Sequence, residues 1–153
     1  MKIQFSTIAI VGTGAMGRGI AQIAAQAGSQ VWLLDTQTGA AEKAKQALQE
    51  QWGKLVAKDR ITPEQAQAWG NQLQIANTVA DLTDCELVIE AVVERLDVKQ
   101  ALFAELERTL PAHAVWATNT SSLSVTAIAA GLKQPERLAG FHFFNPVPLM
   151  KVV

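Results

Sequence analysis

Short apolar runs recur along the chain, separated by longer stretches in which apolar residues return at helical spacing. Residues 7–11 (TIAIV), 31–34 (VWLL), 87–89 (LVI), 115–117 (VWA) and 138–143 (LAGFHF) read as strands, with a weaker one at 73–76 (LQIA). They are unbroken runs rather than alternations, the pattern of a sheet covered on both faces. Residues 16–26 are rich in Ala, Ile and Gln, and Gly28 suits the position just past a helix end. Strand, helix and strand in about 30 residues make a βαβ unit, so parallel strands are expected.

From residue 38 to 72 the pattern is helical but too long for one ordinary helix. Leu48, Trp52, Leu55 and Val56 fall on one face. Thr62-Pro63-Glu64-Gln65 then offers an N-cap, a proline in the first helical position and a glutamine at the third. The spacing predicts an αα-hairpin turning at residues 58–61, inserted between the second and third strands. A further helix is expected over 96–110, ended by Pro111, and a shorter one from the cap Ser124 to Gly131. The order of elements predicts an α/β domain over residues 1–153, a doubly wound, mostly parallel sheet with that hairpin inserted.

Composition narrows the class. The 153 residues suit one domain, and 49% hydrophobic with 18% charged residues is ordinary for a globular core. A net charge of -1, with Lys and Arg nowhere pooled, gives no footing for nucleic acid or an anionic membrane. No stretch approaches the roughly 20 apolar residues of a membrane helix, and residues 8–11 are too short for a signal-peptide core. The single cysteine, Cys85, cannot form an internal disulfide, which favours a cytoplasmic address. It lies in Thr83-Asp84-Cys85-Glu86 without a histidine nearby, as a structural side chain would.

The first strand ends in Gly12-Thr13-Gly14-Ala15-Met16-Gly17. G-x-G-x-x-G spacing alone also occurs in turns that bind nothing. Between a strand and a helix at the first βα junction it is the fingerprint of a Rossmann dinucleotide site. Gly12 permits the tight turn, Gly14 leaves room for a pyrophosphate, and Gly17 lets the helix pack close. The N–H groups of Ala15 and Met16 open that helix, where partial positive charge favours phosphates. Strand two ends at Asp35, a carboxylate placed to accept from the adenosine ribose hydroxyls and to repel the extra phosphate of NADP. NAD is favoured over NADP, and FAD stays open from this motif alone.

Ligands of open parallel sheets sit over the carboxyl ends of the strands. With the usual strand order, strand four runs into Glu90-Ala91-Val92-Val93-Glu94 and strand five into Asn119-Thr120-Ser121-Ser122, while strand six contains His142 with Asn145 close behind. A histidine, an asparagine, a serine and an acid would converge on the nicotinamide end. That set fits alcohol oxidation: neutral imidazole takes the hydroxyl proton while hydroxyl and amide groups fix the oxygen. His142 amid Phe141, Phe143 and Phe144 also reads as a core residue on local context, and the sheet edge decides for the site. His113, in a polar turn, has no such placement.

These residues resemble the L-3-hydroxyacyl-CoA dehydrogenases over nearly the whole chain. The likeness runs from Ile8-Ala9-Ile10-Val11-Gly12-Thr13-Gly14-Ala15-Met16-Gly17 to His142-Phe143-Phe144-Asn145-Pro146-Val147-Pro148-Leu149-Met150-Lys151. It implies that His142 is the catalytic base, with Ser121 and Asn145 at the substrate oxygen and the nicotinamide. It also implies that Glu94 and Lys99 line the cofactor and CoA cleft, and that Lys58 in the hairpin borders the CoA nucleotide. Where many members carry a serine in that hairpin, this chain has Gln51 or Trp52. Glu94-Arg95-Leu96-Asp97-Val98-Lys99 looks most like bacterial members acting on 3-hydroxybutyryl- or 3-hydroxyadipyl-CoA.

In that family a glutamate orienting the histidine follows the segment matching Met150-Lys151-Val152-Val153, and a helical substrate and dimerisation domain follows it. The chain stops before both, so the expectation is a fragment that binds NAD without turnover, cut from a homodimeric parent. Two other readings stay open. One is a different Rossmann 3-hydroxyacid dehydrogenase that relies on a catalytic lysine; the other is a non-enzymatic, crystallin-like relative that keeps the NAD fold.

Overall fold

A computed structural model describes residues 5–153, so the first four residues of the expected 1–153 unit lie outside the described residues. In chain order it contains β1 (Thr7–Val11), α1 (Ala15–Gln26), β2 (Gln30–Leu34), α2 (Ala40–Val56), α3 (Pro63–Gln72), β3 (Leu73–Ile75), β4 (Leu87–Glu90), α4 (Leu96–Thr109), β5 (Val115–Thr118), α5 (Val125–Ala129) and β6 (Leu138–Gly140). The six strands form one sheet in the order β3-β2-β1-β4-β5-β6. Every neighbouring pair is parallel, where the sequence predicted mostly parallel. The chain winds outward from β1 to β3 and then returns to β4, so the strand order reverses between β1 and β4. That reversal opens the crevice in which doubly wound folds hold ligands.

Alternate residues of β1, β2, β4 and β5 feed two cores. From β1, Ile8 and Ile10 join Ile20, Leu33, Leu48 and Trp52 under α1 and the α2–α3 hairpin. Ala9 and Val11 face Val88, Phe103, Leu106, Trp116 and Ile128 under α4 and α5. This two-sided burial is why the strand sequences are unbroken apolar runs. The hairpin turns where the sequence placed it, and the Thr62 hydroxyl and Gln65 side chain cap the start of α3 reciprocally at 3.2 and 2.9 Å.

The strand expected over 138–143 is shorter in the structure and ends at Gly140. The Phe141 N–H still bonds the Thr118 carbonyl at 2.9 Å, but the Phe143 N–H bonds the Asn119 side-chain oxygen at 2.8 Å. The side chain takes the ladder position, so the chain leaves the sheet and His142 lies past the strand end. The apolar spacing of Phe141 and Phe143 mimicked a strand, although Phe141 is exposed and only Phe143 is buried.

Gly12 and Gly17 set where α1 can sit. Gly12 has φ +94°, and a Cβ there would lie 2.5 Å from the Ala91 carbonyl oxygen. A Cβ on Gly17 would lie 1.8 Å from the Gly12 oxygen, so α1 packs on bare backbone. Around Gly14 a Cβ would meet nothing within 4 Å. Gly17→Ala is therefore expected to cost about 3 kcal/mol or more, because backbone has to move. Gly14→Ala should cost under about 1 kcal/mol. Urea unfolding followed by circular dichroism measures both, and equal losses would contradict this packing.

Candidate active site

The residues at the glycine loop fit a dinucleotide. α1 begins at Ala15 with Gly14 as its cap and no side chain on its first N–H groups, and the space above Gly14 is open. Bare N–H groups at a helix start, with room beside them, hold a pyrophosphate. At the end of β2, Asp35 is half-buried and accepts hydrogen bonds through both oxygens. Its Oδ2 accepts from the Thr13 N–H and hydroxyl, both at 2.7 Å, and its Oδ1 from the Gln37 N–H at 2.9 Å. Partial burial pulls this carboxyl upward, but bonds from Gln37, the Thr13 hydroxyl and N–H, and Thr36 outweigh it and hold it below the ordinary value. It is ionised at neutral pH. A hollow of about 190 Å³ beside it, bordered by residues 36–39 and Asn77, suits an adenosine.

Past the ends of β4, β5 and β6 lies a second cleft of about 310 Å³, lined by Met16, Glu94, Asn119, Ser121, His142 and Asn145 among others. The structure thus brings together Glu94, Ser121, His142 and Asn145 from three separate segments of the chain. His142 is exposed, its ring 4.8 Å from that of Phe144. The bond from the Phe143 N–H to Asn119 ties the His142 segment to the loop that carries Ser121. Val147 packs against α1 at Gly19, where a Cβ would lie 2.9 Å from it. His142 and Ser121 therefore stand on tethered backbone.

Beneath that cleft is a polar network whose geometry the sequence did not reveal. Glu90 closes β4 and is fully buried. Its Oε1 accepts from the Lys99 ammonium at 2.6 Å and the Val92 N–H at 2.7 Å, and its Oε2 from the Thr118 hydroxyl at 2.6 Å. Lys99, 1% exposed, reaches toward Glu94 at 3.9 Å. Glu94 in turn accepts from the Thr120 hydroxyl, which takes the Leu123 N–H at 3.0 Å. The available signal was a charged residue ending a buried strand, which demands a buried partner.

Residues 7–153 match the model of the family described as 3-hydroxyacyl-CoA dehydrogenase, NAD binding domain. The chain belongs to this family. It is 44% identical over 153 residues to the 3-hydroxyadipyl-CoA dehydrogenase of Escherichia coli, covering 100% of this chain and 32% of that protein. It is 40% identical over 160 residues to the human mitochondrial hydroxyacyl-coenzyme A dehydrogenase, covering 99% and 50%. A crystal structure of 3-hydroxybutyryl-CoA dehydrogenase from Escherichia coli K12 superposes with a TM-score of 0.93 at 43% identity, over 97% of this chain and 32% of that one. The chain thus spans about a third to about a half of the length of these relatives. As a member of an NAD-binding family, the domain takes NAD as its cofactor, and the glycine loop and Asp35 are the parts that fit it.

Against this family pattern, one expected placement changes. Lys99 does not line the cleft: its ammonium is buried on Glu90, because a carboxylate sealed in the core requires a counter-charge. It acts on the cleft only from behind Glu94. Lys58 is exposed after the end of α2. Of the two residues at the serine position, Trp52 is fully buried, with its ring 5.6 Å from Trp69. Gln51 faces a groove of about 570 Å³ between α1, α2 and residues 145–149. Cys85 is buried and pushed up to about 12 by desolvation and by the charges of Asp84 and Glu86, so it is no nucleophile.

Lys99→Met is expected to cost about 3–5 kcal/mol, because it strands the Glu90 charge in the core. Adding Glu90→Gln should recover more than half of that loss. A double-mutant cycle by urea unfolding checks it, and independent, additive losses would contradict the pairing.

Proposed function

We propose that this chain is the cofactor half of an enzyme that oxidises the 3-hydroxyl of an (S)-3-hydroxyacyl-CoA to the 3-oxoacyl-CoA. One observation carries the reading: His142, Ser121 and Asn145 share a single cleft at the strand ends with Met16 of the glycine loop. NAD, bound there, supplies the hydride acceptor. His142, held past the end of β6, takes the proton of the substrate hydroxyl as general base. Ser121 and Asn145 donate hydrogen bonds to that oxygen and polarise the carbonyl as it forms. The acyl-CoA substrate, the base and a homodimeric full-length enzyme rest on this reading and on the family likeness. The lysine-dependent alternative finds no support in the cleft, whose described lining contains no ammonium group.

In the full-length enzyme, His142→Gln should lower acetoacetyl-CoA reduction by NADH about a hundredfold or more, with cofactor affinity near wild type. A mutant that kept most of its turnover would move the base elsewhere.

The ribose end gives a separate expectation. The Asp35 carboxylate, bonded to Thr13 and Gln37, borders the hollow at the end of β2, where its charge would repel an extra ribose phosphate. NAD should bind tighter than NADP by about 2–3 kcal/mol, and Asp35→Ser with Thr36→Arg should narrow the gap. Calorimetric titration with both cofactors decides it; equal affinities would sink the assignment.

A further inference from the structure

Three charges lie at and under the cleft floor, and they do not cancel. Lys99 stands 2.6 Å from Glu90 and 3.9 Å from Glu94. The shorter contact is a hydrogen-bonded ion pair sealed from water, with Glu90 0% and Lys99 1% exposed. The single ammonium is thereby committed to Glu90. The excess negative charge falls on Glu94, which is 38% exposed and lines the cleft. It is not free to swing away, because the buried Thr120 hydroxyl donates to its Oε1 and the Lys99 ammonium lies beside its Oε2. The other ionisable residue on the described lining is His142.

Resting on the NAD-binding reading, the nicotinamide ring belongs at this end of the crevice, since the ribose-holding Asp35 marks the adenosine end. That ring is cationic in the oxidised cofactor and neutral in the reduced one. We propose that Glu94, fixed by Thr120 and backed by the Glu90–Lys99 pair, is a specificity-determining residue for redox state: its uncompensated carboxylate favours NAD⁺ over NADH. Neither a glycine loop nor Asp35 makes this distinction, because pyrophosphate and adenosine are the same in both forms. Glu94 is the fixed negative charge on the wall that the two forms meet differently.

The test is calorimetric titration of this chain with NAD⁺ and with NADH at low ionic strength, for the wild type and three variants. Glu94→Gln keeps an oxygen for Thr120 and removes only the charge. It should weaken NAD⁺ binding about fivefold while NADH changes by less than about twofold, and the effect should shrink at high salt. Glu94→Asp, which keeps the charge, should restore the wild-type ratio to within about twofold. Asp35→Ala should weaken both forms to the same extent. Equal weakening of both forms by Glu94→Gln, or no change in either, would overturn the inference and leave Glu94 a packing residue. A wild-type chain that bound neither form would instead take down the NAD-binding reading, and this inference with it.

Discussion

A carboxylate without access to water governs the strand ends of this domain. Glu90 survives in the core because three donors reach it: the ammonium of α4, the hydroxyl that closes β5 and the nearby N–H of Val92. Removing any one leaves an unpaired acceptor or charge where solvation is impossible, so the cluster forms as a unit. β4, β5 and α4 are thereby fixed against one another at the edge where the cleft opens. Burial of apolar area stabilises the sheet without dictating its geometry at that level of detail, whereas charge-assisted hydrogen bonds do.

From this anchor, order passes outward in steps. Thr118 binds Glu90 and receives the Thr120 N–H at 3.3 Å; Thr120 binds Glu94 and receives the Leu123 N–H. Ser121 lies inside that chain of bonds. At the opposite end of the crevice Thr13 and Asp35 play the corresponding part, locking the glycine loop to the end of β2. The two ends are built alike: a threonine hydroxyl donates to a carboxylate that also borders a hollow. Electrostatic preorganisation of this kind spares the site reorganisation when charge moves.

The sheet, its hairpin and the cofactor loop were legible in the sequence, because each follows from local rules. Two-sided burial writes unbroken apolar runs, Thr62 and Gln65 write a cap, and Gly12 and Gly17 write a close approach. The gathering of His142, Ser121 and Asn145 followed from parallel topology, which brings strand ends to one side. What stayed hidden depended on side chains meeting across the fold. Lys99 lies on a helix whose exposed neighbours, Arg95 and Asp97, pair with each other at 2.7 Å on the surface, and nothing in its spacing marks it as buried. Arg137 gave as little sign: it is buried, stacks 4.1 Å from the Trp116 ring and bonds the Ala114 carbonyl at 2.7 Å. The end of β6 was misplaced because one Asn119 side chain replaced a backbone partner.

That substitution of side chain for backbone has a consequence for how the loop after β5 can change in length. The chain from Thr118 to Phe143 closes on itself through two adjacent bonds, Phe141 to Thr118 and Phe143 to Asn119. His142 sits between the two closures, so its position is set by the knot and not by the number of residues in the ring. Insertions or deletions in the exposed loop between α5 and β6 would be absorbed inside the ring, leaving the imidazole where it is. A single residue added between Phe141 and Phe143 would instead break the spacing that lets both bonds form at once. The domain can tolerate drift in one stretch of surface and none in the next.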